Sequence, residues 1–413
     1  MDYVKQKLLD GPIVLENDNR AGSLACLSTR FALEFNVDTP RNVTHAQVER
    51  HMRLCITATP GLENLITIPA SEPILAEASY ELMKNGMNAV CHLARHADLN
   101  CIDRGRRGEL VAALLFMQAY DAARKLSRGR SVSVANFMEA LLPSAKYKTL
   151  LGSAPTSWPM NHPDNATFEE IFKDYGMWFN HVIKVESKEM ISIDHLWKFV
   201  MRGAFILCAT NQEGIDIVLP VCHMTQTLGP DSVTAVVIQV KNAADYKAAL
   251  QGHLFDAMDS IVRSGIFSEV DRDLDSDSKA TTLAKTPAES NKKKRKLNTE
   301  RKAVIRIVFA LASPEAAVVF REQSKKKYCL GGFTTFDIWL AGLSDNTFKQ
   351  IQDTDVGPYR TLLERSLTPH WHDTFKSKGV PQIGEDARKL RGARRRKMAP
   401  LTFAWSSSPS PGE

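Results

Sequence analysis

The chain has 413 residues, enough for two or three domains or one large one, and its 44% apolar, 24% charged composition is that of a globular protein. No apolar run reaches the ~18 residues of a membrane span, and the opening "MDYVKQKLLDGPIVLEND" lacks a signal-peptide core, so no membrane partner is expected. The net charge of +6 comes from two tracts, 291–302 and 386–398, each with seven basic residues and one acidic; the rest holds 39 basic against 45 acidic residues, which excludes a uniformly basic binding surface and points to tethering or targeting.

In chain order, residues 1–104 read as a helical region. "THAQVERHMRLCITA" and "SEPILAEASYELMKNGMNAVCHLARHA" place apolar residues at helical spacing, with Ser71, Glu72 and Pro73 as a helix start. "GELVAALLFMQAYDAARKL", Gly108 to Leu126, predicts a helix with Glu109 in its first turn, where a carboxylate complements the dipole. Residues 127–203 read as a mainly helical insertion: "SVANFMEALL" has a Ser cap, "FEEIFKDYGMWFNHVIKV" is regular, and "SIDHLWKFVMRG" is a helix ended by Gly203.

"AFILCAT", four residues "NQEG" and "IDIVLPV" form a hairpin pattern. The strand "VTAVVIQV" follows, then a helix within "NAADYKAALQGHLFDAMDSIVRSG". Residues 271–302 are charged and nearly free of large apolar side chains, the signature of a disordered basic insertion. Order resumes with the strand "AVIRIVFALA", a helix over "SPEAAVVFREQSKKK" and the strand "FTTFDIWLAGLS"; residues 377–413 read as a disordered basic tail. The fold class is therefore α/β, a mixed sheet flanked by helices, occupying 105–376 after the helical N-terminal region. Seven cysteines without a CxxC pair indicate reduced, intracellular thiols and no zinc framework.

Two buried-looking strands carry charge. Asp216 interrupts "GIDIVLPV", and "VVIQVKN" ends in Gln239, Val240 and Lys241. A charge in low dielectric costs several kcal/mol unless compensated. Strand alternation sends Gln239 and Lys241 to one face and Val240 to the other. An acid on a neighbouring strand would then meet an amide and an amine at a strand end.

This order, Asp216 followed by Gln239-x-Lys241, resembles the active site of PD-(D/E)XK nucleases, in the Gln-x-Lys variant of Mrr-type restriction enzymes. Glu109, preceded by a glycine in "GRRGELVAALL", resembles the glutamate many of them add from a core helix. The resemblance implies a restriction-endonuclease-like core and a metal-dependent nuclease hydrolysing DNA phosphodiesters with Mg²⁺ or Mn²⁺. Asp216, Glu109 and the main-chain carbonyl of Val240 would hold the ion, Lys241 would orient water, and Gln239, neutral where an acid is commoner, would contact the metal shell or the phosphate. The alternative is a catalytically degenerate member acting as a nuclear nucleic-acid or protein binding module.

A wider resemblance, in "RGELVAALL", "DYGMWFNHVIKVESKEMIS", "NQEGIDIVLPV", "VIQVKNAADYK" and "FDIWLAGLS", is to a large uncharacterised family of mushroom-forming fungal proteins related to Crinkler-type nuclease-like domains. The GxxxxGK[ST] phosphate loop of their NTPase half is missing from this sequence. The string Lys292, Lys293, Lys294, Arg295, Lys296 resembles a nuclear import signal, which implies an import receptor as partner and a nuclear location, with the cytoplasm as the alternative; the nuclease resemblance implies DNA rather than RNA as the nucleic acid. Arg394 to Lys397 forms a second basic string.

Overall fold

Alternation and helical spacing sort the chain into strands buried on both faces and helices buried on one side. The computed structural model describes residues 1–13, 19–35, 39–59, 64–84, 87–96, 107–127, 131–158, 166–209, 212, 214–243, 245–261, 266, 302–322 and 334–364. Helices α1 (Asp2–Leu9), α2 (Arg20–Phe31) and α3 (Arg41–Arg50) lead into a two-stranded antiparallel hairpin, β1 (Leu54–Ala58) and β2 (Leu65–Ile68). Then come α4 (Pro73–Met83), α5 (Ala89–His96) and the long α6 (Arg107–Leu126). Pro73 opens α4, where its missing N–H costs nothing.

The middle comprises β3 (Val132–Ser133), α7 (Val134–Leu141), α8 (Ser144–Leu151), α9 (Phe168–Phe172), β4 (Tyr175–Met177), β5 (His181–Lys184) and α10 (Ile193–Arg202). The remainder comprises β6 (Ala204–Leu207), β7 (Ile217–His223), β8 (Val233–Lys241), α11 (Gly252–Ile261), β9 (Ala303–Ala310), β10 (Ala317–Phe320), β11 (Thr334–Ala341) and α12 (Asp353–Glu364). Gly203 ends α10 in the left-handed conformation (φ 62°), as its sequence position predicts.

Nine strands form one mixed sheet in the order β10-β11-β9-β8-β7-β4-β3, and β6 joins β7 to β5 beside that path. β6, β7 and β8 are a consecutive antiparallel run, and β9 lies parallel to β8 after α11. β7 shares its second edge, its start pairing with β6 and its end with β4. One face of the sheet, with Ile217, Leu219, Val236, Ile238, Ile305 and Ile307, packs against α6 and the N-terminal helices. The other, with Val218, Val237, Val304, Val308 and Trp339, packs against α10 and α11. Among the described residues, no helix is long and apolar enough to cross a membrane.

Several elements differ from the sequence reading. The helix expected over "THAQVERHMRLCITA" stops at Arg50, Met52 turns the chain with φ 61°, and residues 54–58 become β1. Residues 127–203 contribute β3, β4 and β5 to the sheet as well as helices. The segment "SPEAAVVFREQSKKK" was expected to be helical, yet Ala317–Phe320 is an edge strand on β11. There β-branched Val318 and Val319 gain cross-strand partners Leu340 and Trp339, and this pairing outweighs local helix preference. The helix expected within residues 242–265 is α11, which occupies Gly252–Ile261 of that stretch. The insertion up to residue 301 and the tail 377–413, with both basic strings, lie outside the described residues.

Gly342 lets β11 turn back toward β10. Its φ is 74°, and a Cβ would stand 2.9 Å from the Glu315 carbonyl oxygen. Gly342→Ala is therefore expected to cost about 1–3 kcal/mol, read from the urea midpoint at unchanged slope.

Candidate active site

β7 and β8 stay in register from Cys222 and Val233 to Ile217 and Ile238, and there the pair opens. Asp216 stands in the fork. Its N–H donates to the Ile238 carbonyl (2.9 Å), while its own carbonyl turns away and accepts from the Cys208 N–H (2.9 Å). The Val240 N–H donates to Asp216 Oδ2 at 2.6 Å, so a side chain takes over where the ladder ends. Asp216 Oδ1 has no hydrogen-bond donor, and no cation forms an ion pair with the carboxylate, among the described residues. Burial pushes the carboxyl above its ordinary range, against the pull of the Val240 N–H and the Lys241 charge.

Gln239 and Lys241 alternate with Val240 along β8. Val237, two residues back, belongs to the core beneath α10 and α11, so Gln239 and Lys241 project to that side and Val240 to the α6 side. Gln239 is 5% exposed, and its Oε1 has no hydrogen-bond partner among the described residues. A buried amide oxygen left this way costs about 1–3 kcal/mol. Lys241 is half-buried, with its ammonium 5.7 Å from the Tyr246 ring centroid.

The N-terminus of α6 docks on the end of β8. A Cβ at Gly108 would lie 3.2 Å from Asn242 Cβ and 3.5 Å from Val240 Cγ1, so a glycine there permits the close approach. Glu109 follows in the first turn. Its charge and that of Asp216 both act on the buried Cys208 thiol: burial first, then the two carboxylates, pushes that thiol well above its ordinary range. Asp216 and Glu109 thus both act on Cys208 near the open end of β7 and β8, while Gln239 and Lys241 project to the α10 and α11 side of the sheet, opposite the side on which α6 packs. Among the described residues, no three His, Cys, Asp or Glu side chains form a metal cage. The unused donors at the fork are one carboxylate oxygen and one amide oxygen. Hard cations that keep most of their water accept such a set.

Sequence reasoning passed over two features. Tyr246 lies on Lys241, and Lys247 just after it is held by its carbonyl, which accepts from Trp339 Nε1 at 3.2 Å. The second feature is Asp337 on β11, another acid in an apolar strand. It is fully buried and paired with Arg306, its register partner on β9, by two hydrogen bonds of 2.6 and 2.8 Å; Arg321 adds a third at 3.3 Å. The signal was present in "AVIRIVFALA" and "FTTFDIWLAGLS", each with one charge in mid-strand.

Residues 15–276 match the family described as a domain of unknown function, DUF8736, and since the match spans more than half of the chain, the chain belongs to it. Asp216, Gln239, Lys241 and Glu109 all fall within the matched segment. No curated protein and no solved structure matches the chain.

Proposed function

We propose that the sheet is a restriction-endonuclease-like core and that the fork of β7 and β8 is a metal-dependent site hydrolysing DNA phosphodiester bonds. The observation that supports this most is the contrast between two strand carboxylates. Asp337 is neutralised by two guanidiniums, as a core acid should be, whereas Asp216 keeps one oxygen unbonded beside an amine and an unsatisfied amide. Buried polar capacity left unspent at a strand end is more typical of a working site than of a core. The consecutive order of β6, β7, β8, α11 and β9 is compatible with that fold.

In this reading Asp216 and Glu109, with the Val240 carbonyl, would hold Mg²⁺ or Mn²⁺. The ion, when bound, supplies polarisation of the phosphate and acidification of water. Lys241 orients the attacking water and offsets negative charge as the phosphorane develops. Gln239 contributes an amide oxygen toward the cation shell, or its amide N–H to a phosphate oxygen. The Lys292–Lys296 string would carry the protein into the nucleus, where DNA is the polyanion at hand.

Supercoiled plasmid incubated with the purified protein and Mg²⁺ or Mn²⁺ should be nicked, and excess chelator should stop the reaction. Intact plasmid with either ion would defeat the catalytic reading. A second reading has its own support, since only two acids meet here and Gln239 is neutral. A binding module of the same fold would retain DNA in a salt-dependent manner without cutting it.

A further inference from the structure

The hairpin β1–β2 is polar inside and apolar outside. On its inner side Arg53, 4% exposed, donates to Thr67 Oγ1 (2.6 Å), Ser28 Oγ (2.5 Å) and the Leu33 carbonyl (2.9 Å), and its guanidinium lies 3.6 Å from the Phe35 ring centroid. One arginine thus seats the hairpin on α2 and the segment after it. The outer side carries Leu54, Ile56, Ile66 and Ile68, which are 49%, 58%, 52% and 44% exposed. Leu54 pairs directly with Ile68 and Thr57 with Ile66, and Ile56 is the extra residue of the bulge between these pairs. A surface hairpin ordinarily turns its aliphatic side inward. This one presents four aliphatic side chains to solvent, and β1 pairs only with β2 among the described residues.

We propose that this face is the contact between two copies of the chain, packed patch to patch about a two-fold axis. Four aliphatic side chains, each about half exposed, offer on the order of 350 Å² of apolar surface. Two such patches, with the backbone and threonines around them, reach roughly 1,000 Å² in total, the lower limit for specific association. The patch holds no charged residue, so two copies meet without repulsion, and a two-fold contact asks only that the surface suit itself. A contact at that limit belongs with weak, reversible associations.

The full chain should therefore change from monomer to dimer between about 1 and about 100 μM in sedimentation velocity, with little change between ~0.1 and ~1 M salt. Ile56→Lys with Ile66→Lys should weaken association at least ~30-fold. Both positions are more than half exposed, so the melting temperature should stay within a few degrees of wild type, which separates lost contact from lost fold. Wild-type protein that is still monomeric at about 100 μM overturns the proposal, as does a double variant that dimerises like wild type. Association that high salt or nuclease treatment abolishes overturns it too, because it would then run through charge or bound nucleic acid.

Discussion

Asp216→Ala should reduce plasmid nicking by at least ~10³-fold, and Lys241→Ala by roughly 10²–10³-fold, with both proteins folded. In the proposed mechanism the first would lose a metal-holding oxygen, and metal-ion catalysis supplies several kcal/mol of barrier lowering, about a decade in rate for each 1.4 kcal/mol. The second would lose the positive charge that the proposed mechanism sets against the developing phosphorane. Asp216→Asn separates a catalytic from a structural acid. An asparagine Oδ1 can still accept from the Val240 N–H, so the fork stays closed as in wild type. Nicking should fall nearly as far as with alanine.

Stability should move the other way. Burial raises the folded-state pKa of Asp216 above its unfolded value. The folded protein then holds the proton more tightly, and the ionised group costs stability. That cost is absent below the unfolded pKa, grows as pH rises through the folded pKa, and is complete above it. Asp216→Asn should therefore be at least as stable as wild type at pH 7, by urea unfolding, with its advantage vanishing at acid pH. A loss of more than ~2 kcal/mol would make Asp216 a structural carboxylate and remove it from the proposed mechanism.

Asp337→Ala should destabilise the protein by about 3–5 kcal/mol, because it strands the Arg306 guanidinium, 2% exposed, inside the sheet's second core. Against a total of ~5–15 kcal/mol, that is enough to populate unfolded protein at modest urea. Arg306 also donates to the Phe255 carbonyl on α11, so the variant should loosen that helix first. Replacing the pair together, Arg306→Met with Asp337→Leu, should recover most of the loss, since an apolar pair of similar volume removes both desolvation penalties. A single Asp337→Ala that costs under ~1 kcal/mol would show that the buried pair stabilises nothing.

How much of this was legible depended on whether the deciding force was local. The antiparallel pairing of β6 with β7, the glycine stop of α10 and the proline start of α4 follow local chemistry and read correctly. β10 is decided by its partner β11, which a local window of sequence does not weigh. Asp216 and Asp337 show the same limit at the level of single residues. Each is one acid in an apolar strand, and only the placement of Arg306 and Arg321 separates a neutralised core acid from one with capacity to spare. The outward apolar face of β1–β2 was missed for a related reason. Its residues look like ordinary core, and what displaces them outward is Arg53 satisfying four acceptors on the other side.

The matched family segment ends at residue 276, yet Val236 to Lys241 of β8 pair with Ile305 to Ala310 of β9 beyond it. A fragment trimmed to that segment would leave Val236 to Lys241 as a bare strand with unsatisfied amides and aliphatic side chains, a template onto which other chains could add. Such a piece should precipitate where the longer polypeptide stays in solution.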